Sequence, residues 1–423
     1  MLVEFKVGNY LSFKDIVTFS MVAANKIKTN VSLDDNLFEH NKFKILKSAL
    51  LYGANSSGKS NFLNAVNFFK HFLLQQPPVG SKEISIDNFR LSETTINKPS
   101  FFEMTFFINS IRYRYGFEIT NKKVIQEWLY FVPKRQEVGL FIRKNDNIKL
   151  GNLFKEGRKL AEKTKNNFLF LSVVAQFNGE ISQKIINYFS KNINSLSGLK
   201  DGDYKTYTIN KLNNKDYRKK ILDLLQIADL NIANIDISRK KIRKQQLPEV
   251  VQKLLPEEKK MVFSDVILTS HNFYDKNGKN IKNIKFNLGH NESKGTQKFF
   301  ALAGPILDTL ENGKVLFIDE LDAHLHPILI KFLLSLFNSK EYNKKNAQLI
   351  VTTHSTTFLN SKTFRRDQIW FVEKKRDESS DLYSLIEFTG IREKDNFEKD
   401  YILGQYGAIP FIGNVDILFE KTK

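Results

Sequence analysis

The chain has 423 residues, a formal net charge of +19, 41% hydrophobic residues and 37 phenylalanines. That length predicts two or three lobes with well-filled interiors. The absence of cysteine excludes disulfides and thiolate metal sites. No run is long and apolar enough to cross a membrane and the first residues lack a secretory pattern, so no membrane contact and a cytoplasmic location are expected. The basic balance favours anionic partners, DNA or RNA first, although a composition rich in Lys, Asn, Ile and Phe yields such a charge without one.

Residues 2–13 alternate apolar and polar side chains, as a half-buried strand does, and 16–22 continue as a pairing strand. Residues 45–51 read as one buried strand and 62–69 as an apolar-faced helix. Between them residues 53–60 spell G-x-x-x-x-G-K-S, and strand, loop, helix is the setting a phosphate-binding loop requires. Gly53 and Gly58 let the backbone curl so that successive N–H groups face one centre, and the helix N-terminus adds attraction for anions. Lys59 would reach the β- and γ-phosphates and Ser60 would supply a hydroxyl to Mg²⁺. Asn55, Ser57 and Asn61 fill out the candidate phosphate shell.

A proline break falls at 76–80. Two aromatic-rich runs, 101–108 and 111–119, flank Asn109-Ser110 and predict an antiparallel hairpin. Arg112 and Arg114 alternate with Tyr113 and Tyr115, which suits a nucleic-acid platform less well than a sheet packed on one face and wet on the other. A further strand is expected at 124–132. An apolar run at 168–176 ends in Gln176. From 181 to 260 the pattern is mostly helical and highly charged, with Ile221, Leu222, Leu224, Leu225 and Ile227 as an apolar stripe behind Arg218-Lys219-Lys220. The densest basic tract, 239–244, suits either phosphate backbones or a solvated loop or helix face. No internal repeat or heptad array is present.

Residues 314–320 form a short apolar run ending in Asp319 and Glu320, placed where α/β sheets bind ligands. Asp319 fits a Mg²⁺ partner, and Glu320 a general base or water-orienting group. A polar turn at 289–298 holds Ser293 and Gly295 and on its own is an ordinary helix cap. His324, His326 and His354 lie near acids but lack a metal-ligand spacing such as H-E-x-x-H, so a histidine metal site is set aside.

In order and spacing these motifs resemble the ABC-type ATPase head shared by SMC-type, RecF-type and related DNA-repair proteins. More narrowly, the chain resembles the bacterial AAA-like ATPases of the RloA and abortive-infection (AbiL-type) group. The strings that carry this are Phe5-x-Val7-x-Asn9-Tyr10-x-Ser12-Phe13, Glu292-Ser293-x-Gly295-Thr296, Asp319-Glu320-Leu321-Asp322-x-x-Leu325-His326-Pro327 and Tyr406-Gly407-Ala408-Ile409-Pro410. It departs from transporter ATPases at the signature, where Glu292-Ser293-Lys294-Gly295 stands for L-S-G-G.

The resemblance implies an α/β, ABC-ATPase-like P-loop fold with a mixed central sheet, an antiparallel β subdomain and a helical insertion lobe. Its lobes would be an N-terminal ATPase lobe at 1–176, the insertion at 177–288 and a C-terminal ATPase lobe at 289–423. It implies ATP and Mg²⁺ as ligands, Gln176 as a Q-loop metal ligand, 291–297 as the signature, Asp322 as the D-loop acid and His354 as the switch histidine. It also implies a head-to-head homodimer or higher oligomer, with each ATP between one subunit's Lys59 loop and the other's Ser293 and Gly295. Family members work in phage defence beside a separate nuclease or Toprim-like effector. The alternative is a RecF- or SMC-like ATPase acting directly on DNA, although the short, non-heptad insert counts against the coiled-coil branch.

Overall fold

The structure, a computed structural model, describes residues 1–24, 31–75, 83–199, 202–246, 252, 256, 261–392 and 395–413. The proline break at 76–80 lies outside them. In chain order come strands β1 (Leu2–Gly8), β2 (Val17–Ser20), β3 (Leu37–His40), β4 (Phe43–Leu46) and β5 (Ser48–Tyr52), then helix α1 (Lys59–Leu74). Strands β6 (Ser100–Ile108), β7 (Ile111–Ile119), β8 (Val124–Val132), β9 (Val138–Lys144) and β10 (Asn147–Leu150) follow, then α2 (Phe170–Gln176), α3 (Glu180–Asn192) and β11 (Ile193–Ser197). Next are α4 (Gly202–Lys211), α5 (Lys215–Ile227), β12 (Asn234–Arg243), β13 (Met261–Tyr274), β14 (Asn280–Asn287), α6 (Leu288–Asn291) and α7 (Lys294–Asn312). The chain closes with β15 (Val315–Asp319), α8 (Pro327–Asn338), β16 (Gln348–Thr352), β17 (Ile369–Lys374), β18 (Ser380–Ser384) and α9 (Phe397–Ile402). It divides into two units: Met1–Leu199 with Thr309–Ala323 and Ile330–Lys423, and Lys200–Asp308 with His324–Leu329.

The first unit is built on two sheets. One is antiparallel, in the order β10-β9-β8-β7-β6-β1-β2. The other runs β11-β15-β16-β5-β17-β18, parallel except for β18. Helix α1 serves both, because its apolar positions recur around more than one face: Phe62, Ala65, Val66, Phe69, Phe72 and Leu73 are all buried. Phe69 stacks on Phe117 of β7 at 5.2 Å between ring centroids, and Phe62 meets Phe5 of β1 edge-on at 5.8 Å. A fully buried phenylalanine contributes roughly 2–3 kcal/mol. These rings therefore account for much of what holds the helix in place.

The run expected as one strand at 45–51 is two. β4 pairs with β3, while β5, all five residues buried, enters the parallel sheet between β16 and β17. Lys47 sits at the join with its side chain buried and its ammonium without a hydrogen-bond partner. A local apolar pattern cannot reveal that neighbouring residues belong to different sheets. The hairpin around Asn109-Ser110 forms as expected, with Ile108 opposite Ile111. Tyr113 and Tyr115 are buried, whereas Arg114 pairs with Glu103 and Glu137, so this face is a packed sheet with a wet side.

The second unit departs from a helical reading. Helices α4 and α5 are there, with Ile221, Leu224 and Leu225 buried, but Ile227 is exposed. From Asn234 onward the chain makes an antiparallel sheet, β12-β13-β14. The basic tract 239–244 lies largely on β12, in register from Arg239 opposite Asp265 to Arg243 opposite Met261. Strand pairing supplied by residues some 20–30 positions later overrides the local helical signal.

Candidate nucleotide-binding site

The parallel sheet decides which residues meet in the first unit. β5 feeds residues 53–60, β15 delivers Asp319 at its end, and β16 lies between them and runs into His354. Three strand ends thus converge on one edge, the position where open α/β sheets bind ligands.

The loop is braced from outside. Gly58 has φ of 112°, and a Cβ there would stand 2.3 Å from Ser380 Oγ and 2.8 Å from Ser12 Oγ. A Cβ at Gly53 would stand 2.3 Å from the carbonyl of Val372. Ser380 donates its backbone N–H to the Ser12 carbonyl at 2.7 Å and its hydroxyl to the Ser57 carbonyl at 2.5 Å. Asn61 reaches Ser12 Oγ at 2.8 Å. No side chain caps α1, so its first-turn N–H groups stay available to an anion. Ser57 is buried, with no hydrogen-bond partner for its hydroxyl; Asn55 is exposed, and Ser60 half-buried at the helix start.

Lys59 donates to the carbonyls of Gly53 and Ala54 at 2.8 and 2.9 Å. Burial pushes its ammonium below the usual value, while the charges of Asp319, Glu320 and Asp322 pull it back up. The loop lysine and the three acids therefore share one electrostatic neighbourhood.

Thr352, at the end of β16, organises the acids. Its hydroxyl donates to Asp319 Oδ1 at 2.6 Å and accepts the Glu320 N–H at 2.7 Å. Glu320 takes a left-handed conformation with φ of 49°, which turns it away from the strand direction. Gly198 donates to the Asp319 carbonyl at 2.6 Å, and a Cβ there would stand 2.1 Å from the Glu320 carbonyl. Asp322 Oδ2 accepts the His354 N–H at 2.9 Å, leaving Asp322 Oδ1 buried with no hydrogen-bond partner. The His354 side chain is exposed.

Gln176 does not join this group. It ends α2, whose Ser172 hydroxyl donates to the carbonyl of Leu73 at the far end of α1. At 1.5 Å per residue, that anchor lies about 20 Å along the helix from Lys59. Gln176 is exposed at the end of α2.

In the second unit, Ser293 caps α7: its Oγ accepts the Thr296 N–H at 3.1 Å and lies 2.9 Å from Thr296 Oγ1. Glu292 is held by Thr269 and by His271 Nε2 at 2.7 Å. A Cβ at Gly295 would stand 2.9 Å from the His324 carbonyl. Both Ser293 and its neighbour Lys294 are exposed.

Among the described residues no group of three or more His, Asp or Glu side chains could cage a metal. Magnesium, which arrives on a triphosphate, needs only one or two protein oxygens. Ser60 and Asp319 offer that donor set. Ser12 belongs to the N-terminal string, whereas Gly198, Thr352 and Ser380 stand in no motif; they are ordinary small residues whose importance comes from strands meeting across the sheet.

Fold and loop together define a P-loop ATPase domain. The family model described as "AAA domain, putative AbiEii toxin, Type IV TA system" matches residues 48–360, and the chain belongs to that family. Among solved structures, the chain is similar to the SMC head domain from Thermotoga maritima at 12% identity and a TM-score of 0.39, over 90% of this chain and 98% of that one. It is also similar to the Smc head domain with a coiled coil and joint derived from Pyrococcus yayanosii at 16% identity and a TM-score of 0.26. That alignment covers 61% of this chain and 39% of the other. No curated protein matches. No helix among the described residues is long and apolar enough to cross a membrane.

Proposed function

We propose that the protein binds and hydrolyses ATP with Mg²⁺ and uses the cycle as a switch. What supports this most directly is the meeting of Lys59, Asp319, Glu320 and Asp322 beside a braced phosphate loop. In this reading the loop N–H groups and Lys59 hold the β- and γ-phosphates, with Asn55, Ser57, Gly58 and Asn61 lining the loop. Ser60 and Asp319 hold the metal, which would neutralise charge on the phosphates when bound. Glu320 orients and deprotonates the attacking water, and His354 contacts the γ-phosphate.

Two copies would associate head to head, as a homodimer or a higher assembly. Ser293, Gly295 and the helix start behind them would then complete the phosphate shell of the partner protomer, and Asp322 would lie at the junction. ATP would favour the closed pair and hydrolysis would release it, since only the triphosphate contacts both copies. The family description names a toxin of a type IV TA system. With the likeness to the RloA and AbiL-type group, that favours a cytoplasmic anti-phage switch acting on a separate nuclease or Toprim-like effector.

The deciding experiment is Glu320→Gln. It should retain ATP binding, abolish turnover and accumulate dimer, whereas Lys59→Ala should lose binding. Wild-type hydrolysis by Glu320→Gln would refute the assignment of the base. Direct action on DNA or RNA is the second reading, favoured by the net charge of +19.

A further inference from the structure

The string at 406–410 and helix α9 have no part in the chemistry above, yet both are tied to residues that do. Glu398 of α9 accepts a hydrogen bond from the Thr356 hydroxyl at 2.6 Å, two residues beyond His354. Tyr401 packs its ring on Tyr52 at 5.9 Å and stacks on Phe371 of β17 at 5.4 Å. Tyr52 is the last residue before Gly53, so this contact bears on the strand that enters the phosphate loop.

The segment is itself pinned. Tyr401 donates to the Ala408 carbonyl at 3.0 Å, and Ala408 donates its N–H to Glu373 Oε1 at 3.1 Å. The Tyr383 hydroxyl lies 2.9 Å from Glu373 Oε2 and 2.8 Å from the Tyr406 carbonyl. Gly407 is required at this corner: its φ is 66°, and a Cβ would stand 2.7 Å from both Glu373 Oε1 and the Tyr383 hydroxyl. Buried rings and four polar ties make a rigid support. His354, by contrast, is fixed to Asp322 only through its backbone N–H, and its imidazole is exposed. The backbone that carries the imidazole onward is held two residues later, at Thr356.

We propose that residues 396–408 are a positioning brace for the switch histidine: Glu398 fixes Thr356 and so aims His354, while Tyr401 seats the end of β5. The inference rests on the hydrolysis reading. Glu398, Thr356 and Tyr401 are positioning residues, because each acts through a neighbour, Thr356, His354 or Tyr52, rather than in the phosphate and metal roles assigned above. A hydrogen bond to a carboxylate is worth enough to hold or lose roughly a tenfold population of the aimed loop.

The test compares Thr356→Val, Thr356→Ser and Glu398→Ala, measuring kcat together with affinity for a fluorescent non-hydrolysable ATP analogue. Thr356→Val and Glu398→Ala should lower kcat about tenfold with analogue affinity within about twofold of wild type, and Thr356→Ser should restore the rate. Unchanged kcat in Thr356→Val, or a fall in kcat that tracks lost analogue affinity, would overturn the brace. If Glu398→Ala fails to fold, the Thr356 pair decides alone. Glu320→Gln is run in parallel: its full activity would bring down the hydrolysis reading, whereas an inactive Glu320→Gln beside a fully active Thr356→Val would bring down the brace only.

Discussion

Removing one hydroxyl at the end of β16 should disable catalysis without altering the shape of the core. Thr352→Val exchanges an oxygen for a methyl of similar size at a residue whose relative exposure is 0%. Two bonds are lost together, the donation to Asp319 at 2.6 Å and the acceptance from Glu320 N–H at 2.7 Å. The first is charge-assisted and worth about 1.5–3 kcal/mol. The second anchors a glutamate whose left-handed backbone costs about 1–2 kcal/mol to maintain. Released from both, Glu320 relaxes toward ordinary strand geometry and its carboxylate leaves the attack position. A loss of about 1.5–3 kcal/mol in transition-state stabilisation corresponds to a fall in kcat of about ten- to a hundredfold. Steady-state phosphate release measures this, alongside equilibrium binding of a non-hydrolysable analogue, which should change little because the phosphate loop is untouched. Thr352→Ser should recover most of the rate. If Thr352→Val turns over ATP as fast as wild type, Thr352 does not organise the acids and the reasoning from these two bonds fails.

Other expectations follow from single residues. Burial lowers the Lys47 pKa to about 8, outweighing the pull of Asp35, so the ammonium remains the main form at neutral pH but its burial costs the folded state stability. A base with a depressed folded pKa costs stability below that value and regains it as pH rises toward the unfolded value near 10.5. Lys47→Met should therefore stabilise the protein at pH 7 by up to about 3 kcal/mol and by only about 1 kcal/mol at pH 10, read from urea midpoints; a pH-independent difference would contradict this. Gly198→Ala, with its new Cβ 2.1 Å from the Glu320 carbonyl, should shift the end of β15, costing about 1–3 kcal/mol in thermal stability and most of the hydrolysis rate. Phe69→Ala should cost about 3–5 kcal/mol, since its ring packs on Phe5, Tyr115, Phe117 and Phe189. If nucleic acid is a ligand, its affinity should fall steeply between low and physiological salt; a flat dependence would leave the +19 charge without that role.

Where local pattern and chemistry coincide, the sequence was a sufficient guide. The glycine spacing at 53–58 and the run ending in Asp319 announce themselves, because phosphate binding constrains the backbone and burial constrains the strand. The Asn109-Ser110 hairpin was legible for a similar reason, its turn and alternation lying within twenty residues. What stayed hidden depends on partners far along the chain. Nothing near Lys47 shows that β4 and β5 belong to different sheets. Arg239 to Arg243 become a strand only because β13 is there to pair with them. Thr352 and Gly198 matter through β15, which neither adjoins in sequence. Gln176 ends a helix tied through Ser172 to the far end of α1, a placement that order along the chain does not show.

The strand order of the parallel sheet also bears on synthesis. Gln348 at the start of β16 exchanges hydrogen bonds with Leu2, 346 residues earlier, and β5 is flanked on both sides by strands from the last fifth of the chain. A ribosome must thus deliver more than three hundred residues before the nucleotide-holding strand gains either neighbour. Until then its apolar faces stand open, inviting aggregation or chaperone capture. A translation stall just short of β16 would release a chain carrying an intact phosphate-loop motif on a strand with nothing to rest against.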